Sequence, residues 1–430
     1  MRQFLQRMKP TAAFIAIALM VVAGPLHAQD EPQSPASSAP AGVFEAPPTL
    51  SAMEILQPEF YQGTNFRVRD PVPTYAGANA FTIDSDFGVF EANGNQMLMR
   101  RVREIAAIAK LRSISGTKEF MQAAQKAAET PLVVAQDLIS NPVGTISGVP
   151  QGIWRFLNQA GQSAKEIGEG RKPSPGNTAE NLIGFSKTKR AIALKLGVDP
   201  YSTNEVFQRE LNKVAWPAFT GGFIVDLGMH AVGGEAGLAL SAANWTSTLV
   251  NELRDNSPVD LRLMNLGKLL DMGIPREDAV VFLNNAAISP SAQTILVAAL
   301  VQLDGTLGRG EFVRQASGSE DEHDALFFQR CAQLMAKLNG NVPLARITQL
   351  NGLPVCVTTS SAVVVPIQWD YVSWTPMTER FVTALQAADF GIQASGYFVA
   401  LTGVVSPMAD EALTSRGIML LEKQLANPLK

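Results

Sequence analysis

The sequence predicts an α+β protein, a mainly helical body carrying a smaller C-terminal α/β unit. Three observations carry that expectation. Between Leu98 and Asn339 apolar residues recur at helical spacing, broken by caps and glycine stops. Beyond Asn341, short β-branched runs alternate with helical ones, as strands and helices packed in layers do. The composition of the 430 residues, 46% hydrophobic and 17% charged, is that of a globular chain long enough for two or three domains.

The N-terminus has the order of an export signal. Arg2, Arg7 and Lys9 form a basic region, Thr11 to Gly24 an apolar run, Gly24-Pro25 a break, and Leu26-His27-Ala28 an exit predicting cleavage after Ala28. The run falls short of the roughly 20 residues of a comfortable span, so an uncleaved anchor is the lesser alternative. Residues 29–55 begin rich in Pro, Ala, Ser and Gln and are expected to form a disordered tether. A mainly helical domain over 56–340 and a C-terminal α/β unit over 341–430 complete the expected organisation. The expected location is the periplasm or beyond.

Loss of the leader leaves 32 basic against 39 acidic residues, a net charge of −7. That balance argues against nucleic acid, whose phosphates require a basic surface. Cys331 and Cys356 are the two cysteines of the chain. In an oxidising compartment they are expected to pair, the alternative being two buried thiols.

Along the chain, Phe81-Thr82-Ile83 and Val89-Phe90 flank Asp84-Ser85-Asp86-Phe87-Gly88 as a hairpin. Leu98, Val102, Ile105 and Ala109 mark a helix, with Arg100, Arg101, Arg103 and Lys110 on its other sides. Thr130-Pro131 opens a further helix to Ser140. Pro142 to Leu157 is broken and amphipathic, and Gly168 to Thr178 is a loop. A helix from Ala179 to Leu196 stops at Gly197. Ser202 and Glu205 then fit a capping box. Val214 to Ala243 is apolar and glycine-rich. Leu269 to Gly273, Leu303 to Gly305 and Leu338 to Gly340 are related helix endings, spaced 32 and 35 residues apart. Three independent caps are expected, with a degenerate repeat as the alternative. Strands are expected over 345–350, 354–358, 363–368, 397–405 and 418–421, with helices over 378–388 and 407–415.

Four stretches carry a resemblance: Phe87-Gly88-Val89-Phe90-Glu91, Gly197 to Asn204 (GVDPYSTN), Ser289-Pro290 with Gln293-Thr294, and Leu401 to Pro407 (LTGVVSP). They are similar to an uncharacterised set of exported bacterial proteins. The resemblance implies export and a shared fold, and it transfers no catalytic residue.

Strong site motifs are absent: no nucleophile elbow, zincin helix, phosphate loop, dinucleotide fingerprint or Cys-x-x-Cys. No cofactor is implied. His230 and His323 are the histidines left after cleavage, which restricts imidazole chemistry. The candidate catalytic set is Asp226, His230 and Glu235, because Asp226 and His230 share a helical face and could act as an oriented base or, together, as metal ligands. Asp84, Asp86 and Glu91 are a weaker Ca²⁺ candidate beside the reading as a turn. Ser115 with Lys118 and Ser186 with Lys189 match Ser-x-x-Lys without its companion motifs. Glu320 to Asp324 reads as the solvated first turn of a helix. Gly233-x-x-x-Gly237 with Trp216 raises a membrane-contacting or ligand-lining surface against a buried core hairpin. The leading expectation is a binding or scaffolding protein of the envelope, taking a protein, small-molecule or lipid ligand. A periplasmic hydrolase and a peripheral, lipid-handling protein are the alternatives.

Overall fold

In the computed structural model, the residues described are 43–128, 178–220, 223, 225 and 246–430. The fold is α+β, with a sheet at each end of the chain and helices between them.

The N-terminal sheet is antiparallel. Its strands are β1 (Thr49–Leu50), β2 (Gln62–Gly63), β3 (Phe66–Val68), β4 (Val72–Tyr75), β5 (Ala78–Ser85) and β6 (Gly88–Asn93), in the order β1-β4-β5-β3-β2 with β6 also on β5. Alternation along β5 buries Asn79, Phe81 and Ile83 on one face, the period-2 pattern of a half-buried strand. The expected hairpin is β5 and β6, with Ile83 opposite Phe90. The expected tether gives way to folded chain before residue 55. Helices α1 (Ala52–Ile55) and α2 (Pro58–Tyr61) follow β1, and Ala52 and Leu56 are fully buried.

Helix α3 (Asn95–Ser115) lays Leu98, Ile105, Ile108 and Leu111 into the first core, and α4 (Lys118–Ala128), α5 (Thr178–Lys195) and α6 (Glu205–Thr220) join it there. Helix α5 closes at Gly197 (φ +71°), where Val198 N–H donates to Ala193 O and Gly197 N–H to Leu194 O. This is the paired-bond ending that a left-handed residue permits. The cap of α6 is Asn204, whose side chain accepts from Val206 and Phe207 N–H. It displaces the expected Ser202, whose hydroxyl is drawn instead to buried Glu104. Trp216 packs edge-on to Phe185 with ring centres 5.6 Å apart.

The second core joins helices to the C-terminal sheet. Helices α7 (Ser247–Asp255), α8 (Pro258–Asp271), α9 (Arg276–Asn284), α10 (Pro290–Val301), α11 (Arg309–Ala316) and α12 (Glu322–Asn341) precede it. The strands are β7 (Leu344–Leu350), β8 (Leu353–Thr358), β9 (Ala362–Ile367), β11 (Gly396–Leu401) and β13 (Ile418–Leu421), ordered β13-β11-β9-β8-β7. β9, β11 and β13 run parallel, β8 antiparallel to both neighbours. Helices α13 (Pro376–Ala387) and α14 (Pro407–Ser415) return the chain between the parallel strands, and β10 (Tyr371–Val372) pairs β12 (Val404–Val405) at their ends. Every residue of β8 and β9 is buried, as unbroken apolar runs require. Phe328, Leu334 and Met335 of α12 share this core with Val355 and Val363, so helices and sheet are fused across residue 341. Gly273 and Gly305 take left-handed φ after α8 and α10, whereas Gly340 lies inside α12.

The C-terminal tail returns to the N-terminal unit. Leu429 bridges Leu56, and Gln57 Nε2 donates to Leu429 O at 2.8 Å. No helix among the described residues is long and apolar enough to cross a membrane.

Candidate functional site

Residues three and four apart on a helix share a face. On α3 that rule aligns Gln96, Arg100 and Arg103; on α12 it aligns Glu322, Leu326, Gln329 and Arg330. The two stripes meet around a cavity of about 60 Å³, closed by Gly197, Val198 and Asp199 from the α5 ending and by Ile295 of α10. Three arginines and one aspartate therefore stand around the same small space.

Each charge has a definable partner set. Arg100 pairs with Glu322, which also accepts from Thr203 Oγ1 and stands 3.6 Å from Arg101. Arg101 is bound to fully buried Glu104 at 2.7 Å, and Glu104 in turn accepts from Ser202 and Asn204 side chains. Asp199 is held by Tyr201 N–H on Oδ1 and by the Ser291 hydroxyl on Oδ2. Arg330, 2% exposed, donates to Gln333 Oε1 and Ala426 O, both at 3.1 Å. Arg103 differs: its Nε and Nη2 are buried without a hydrogen-bond partner. The side-chain oxygen of Gln329 is likewise a buried acceptor without a donor.

The electrostatics follow from this crowding. Burial, helped by the Arg100 charge, pulls Arg103 down to about 10. Burial and then Arg103 pull Arg330 down to about 9. Burial pushes Asp199 up against the opposing pull of Arg100. Burial also disfavours the Glu322 carboxylate, but Arg100, Thr203 and Arg101 outweigh it, and the group sits below its ordinary value. Unpaired buried donors on a cation are costly, and such groups converging on a cavity mark ligand sites. Planar guanidinium donors are the side chains best matched to oxyanions.

A second buried polar centre joins the two sheets. Asp370 Oδ2 accepts from Asn79 N–H and Asn95 N–H, each at 3.0 Å, and Asp370 N–H donates to Gly77 O at 2.7 Å. Burial pushes this carboxyl up to about 6. Its two bonds fix β5 and the start of α3, and so the direction in which Arg100 and Arg103 leave that helix.

The catalytic and metal candidates Asp226, His230 and Glu235 lie outside the described residues, as do Gly233 and Gly237 and the helix expected after Pro131. No group of three or more His, Cys, Asp or Glu able to hold a metal occurs among the described residues. Asp84 pairs with Arg69, Asp86 accepts from Asn65 and Glu91 from Thr82, so the acids of the first hairpin point to separate partners. Ser115 bonds the Arg112 carbonyl. Lys189 is drawn down to about 7 by burial, while Ser186 is exposed. Cys331 and Cys356 are free thiols, both fully buried in the second core. The Glu320 to Asp324 turn is not simply solvated: Asp321 caps α12, and Glu322 turns inward to the arginines.

The cavity was not anticipated from sequence. Its available signal was three arginines within four positions of an apolar helix followed, a hundred residues on, by the polar Asp199 to Asn204 turn. Comparison with protein-family models, curated proteins and solved structures finds no match to this chain.

Proposed function

We propose that this is an exported, non-catalytic binding protein of the cell envelope whose ligand is a small anion. Arg103 carries the reading, since its Nε and Nη2 are buried without a hydrogen-bond partner and the residue lines, with Arg100 and Arg330, one small cavity. A folded protein leaves such donors unpaired at a cost of about 1–3 kcal/mol, which a bound oxyanion repays with charge-assisted hydrogen bonds. The size of the cavity supports a small ligand: about 10–15 Å³ admits one water, and 60 Å³ accommodates a few heavy atoms. The leader over residues 1–28 supports export.

Thermal unfolding of the purified protein in a series of small anions at constant ionic strength tests this. A ligand of the native state alone stabilises it by about 2.7 kcal/mol at a hundredfold excess over Kd. The expected result is a saturating rise in Tm with at least one oxyanion over a chloride control. Equal Tm values in all anions would overturn the reading.

A further inference from the structure

We infer that residues 424–430 are a strap that completes the anion site: the carbonyl of Ala426 positions Arg330 and Gln96 at the cavity, so that docking of the strap and binding of the anion strengthen each other. The inference rests on the anion-binding reading and adds the regulation of that site.

The strap crosses from one core to the other. Leu425 packs against the second core, and Leu429, 6% exposed, belongs to the first. Between them its carbonyls are taken by side chains of separate elements. Lys337 of α12 donates to Gln424 O, Gln96 of α3 to Ala426 O at 2.8 Å, and Gln57 to Leu429 O at 2.8 Å. Asn427 Nδ2 donates to Thr402 O at 2.8 Å, just past β11. The chain enters the strap at Lys423, whose φ of +49° is unfavourable for a residue with a Cβ. The docked position is therefore held by these distant contacts.

One contact joins the strap to the cavity. Gln96 and Arg330 leave different helices, both line the cavity, and both donate to the one oxygen of Ala426, Arg330 at 3.1 Å. Arg330 is 2% exposed, so release of the strap takes an acceptor from a buried cation and lets two long side chains reorient. A ligand that then meets them has to order them itself, which lowers its affinity. Coupling of this kind is reciprocal: an anion that binds the strapped protein more tightly holds the strap down by the same factor.

Amide hydrogen exchange of the purified protein in sodium phosphate, sulfate or acetate, against sodium chloride at the same ionic strength, tests the coupling. The amides of Leu429 and Lys430 donate to Asn427 Oδ1 and Ile55 O. In at least one of the oxyanions, at saturation, they are expected to exchange at least about fivefold more slowly than in chloride. Gly352, in the turn between β7 and β8 and outside both strap and lining, is expected to exchange at the same rate throughout. Leu429→Asp puts a charge into the first core without altering the lining; it is expected to release the strap and weaken that anion by about tenfold. Leu429→Ala serves if that variant does not fold. An anion that binds the wild-type protein and leaves the strap amides unchanged overturns the inference, as does a variant whose strap exchanges freely while its affinity stays that of wild type. Small-anion binding stands in both cases. If none of the three oxyanions binds, the anion-binding reading fails and the inference with it.

Discussion

Glu322, in the first turn of α12, pairs with Arg100 and lies 3.6 Å from Arg101, which leaves Arg103 as the member of the α3 arginine run with unpartnered buried donors. The pairing is therefore selective. It neutralises Arg100 and Arg101 and leaves Arg103 with buried donors that no group of the described chain takes up.

Replacing Arg103 separates a structural from a ligand-binding role. An arginine that held the fold together would destabilise it when lost. Here Arg103→Met removes unpaired donors and a like charge that lowers Arg330, so unfolding in chloride is expected to be unchanged or about 1 kcal/mol more costly. Urea denaturation reads this directly, and a loss above about 2 kcal/mol speaks for a structural arginine.

Glu322→Gln has the opposite sign. Its partners keep their charge, and the side chains of Arg100 and Glu322 are only 19% and 24% exposed. Breaking a fully buried pair costs roughly 3–5 kcal/mol and an exposed one under about 1. An intermediate loss of about 2 kcal/mol is expected in the same urea experiment.

The pH dependence of stability should carry two opposed contributions. Asp370 rises in the fold from 3.8 to about 6. The native state thus holds this proton more tightly, and the stabilisation is full below 3.8 and is lost as pH climbs through 6. Glu322 is lowered from 4.5, so its stabilisation is present above that value and disappears as pH falls through its folded value. Relative to Asp370→Asn, the wild-type unfolding free energy is expected to drop by about 2.4 kcal/mol between pH 4 and pH 7. Parallel profiles for the two proteins would show that Asp370 is not the buried titrating group described.

The cysteines report on compartment. Burial pushes Cys331 up to about 12 and raises Cys356 as well, so neither thiol of the reduced protein should react with an aromatic disulfide reagent until it is denatured. Exported with its leader into an oxidising compartment, the protein is expected to hold the Cys331 to Cys356 bridge and to release no thiol on denaturation without reductant. Two thiols per chain in that sample would contradict the bridge.

How far the sequence could be read depended on whether local patterns or long-range contacts decide the structure. The C-terminal unit was legible almost strand by strand, because β8 and β9 are short runs rich in valine and without charges, and Thr375 and Ser406 cap its helices by local rules. The N-terminal sheet beyond its hairpin was not, since β1, β2 and β3 are two or three residues long and exist through partners elsewhere in the chain. Ser202 shows the same limit: it has the spacing of a cap, yet Glu104, 98 positions away, takes its hydroxyl. The cavity was hidden for that reason. Arg100, Arg103, Asp199 and Arg330 are separated by up to 230 positions, and periodicity on α3 alone places the arginines on an outer face without revealing the α12 stripe that covers them.

The most direct test of the central claim is phosphate titration calorimetry of wild type beside Arg103→Met at fixed ionic strength. The account predicts one saturable site in the wild-type protein and at least a roughly tenfold loss of affinity in the variant, the weight of a charge-assisted hydrogen bond. Identical isotherms for the two proteins would contradict it.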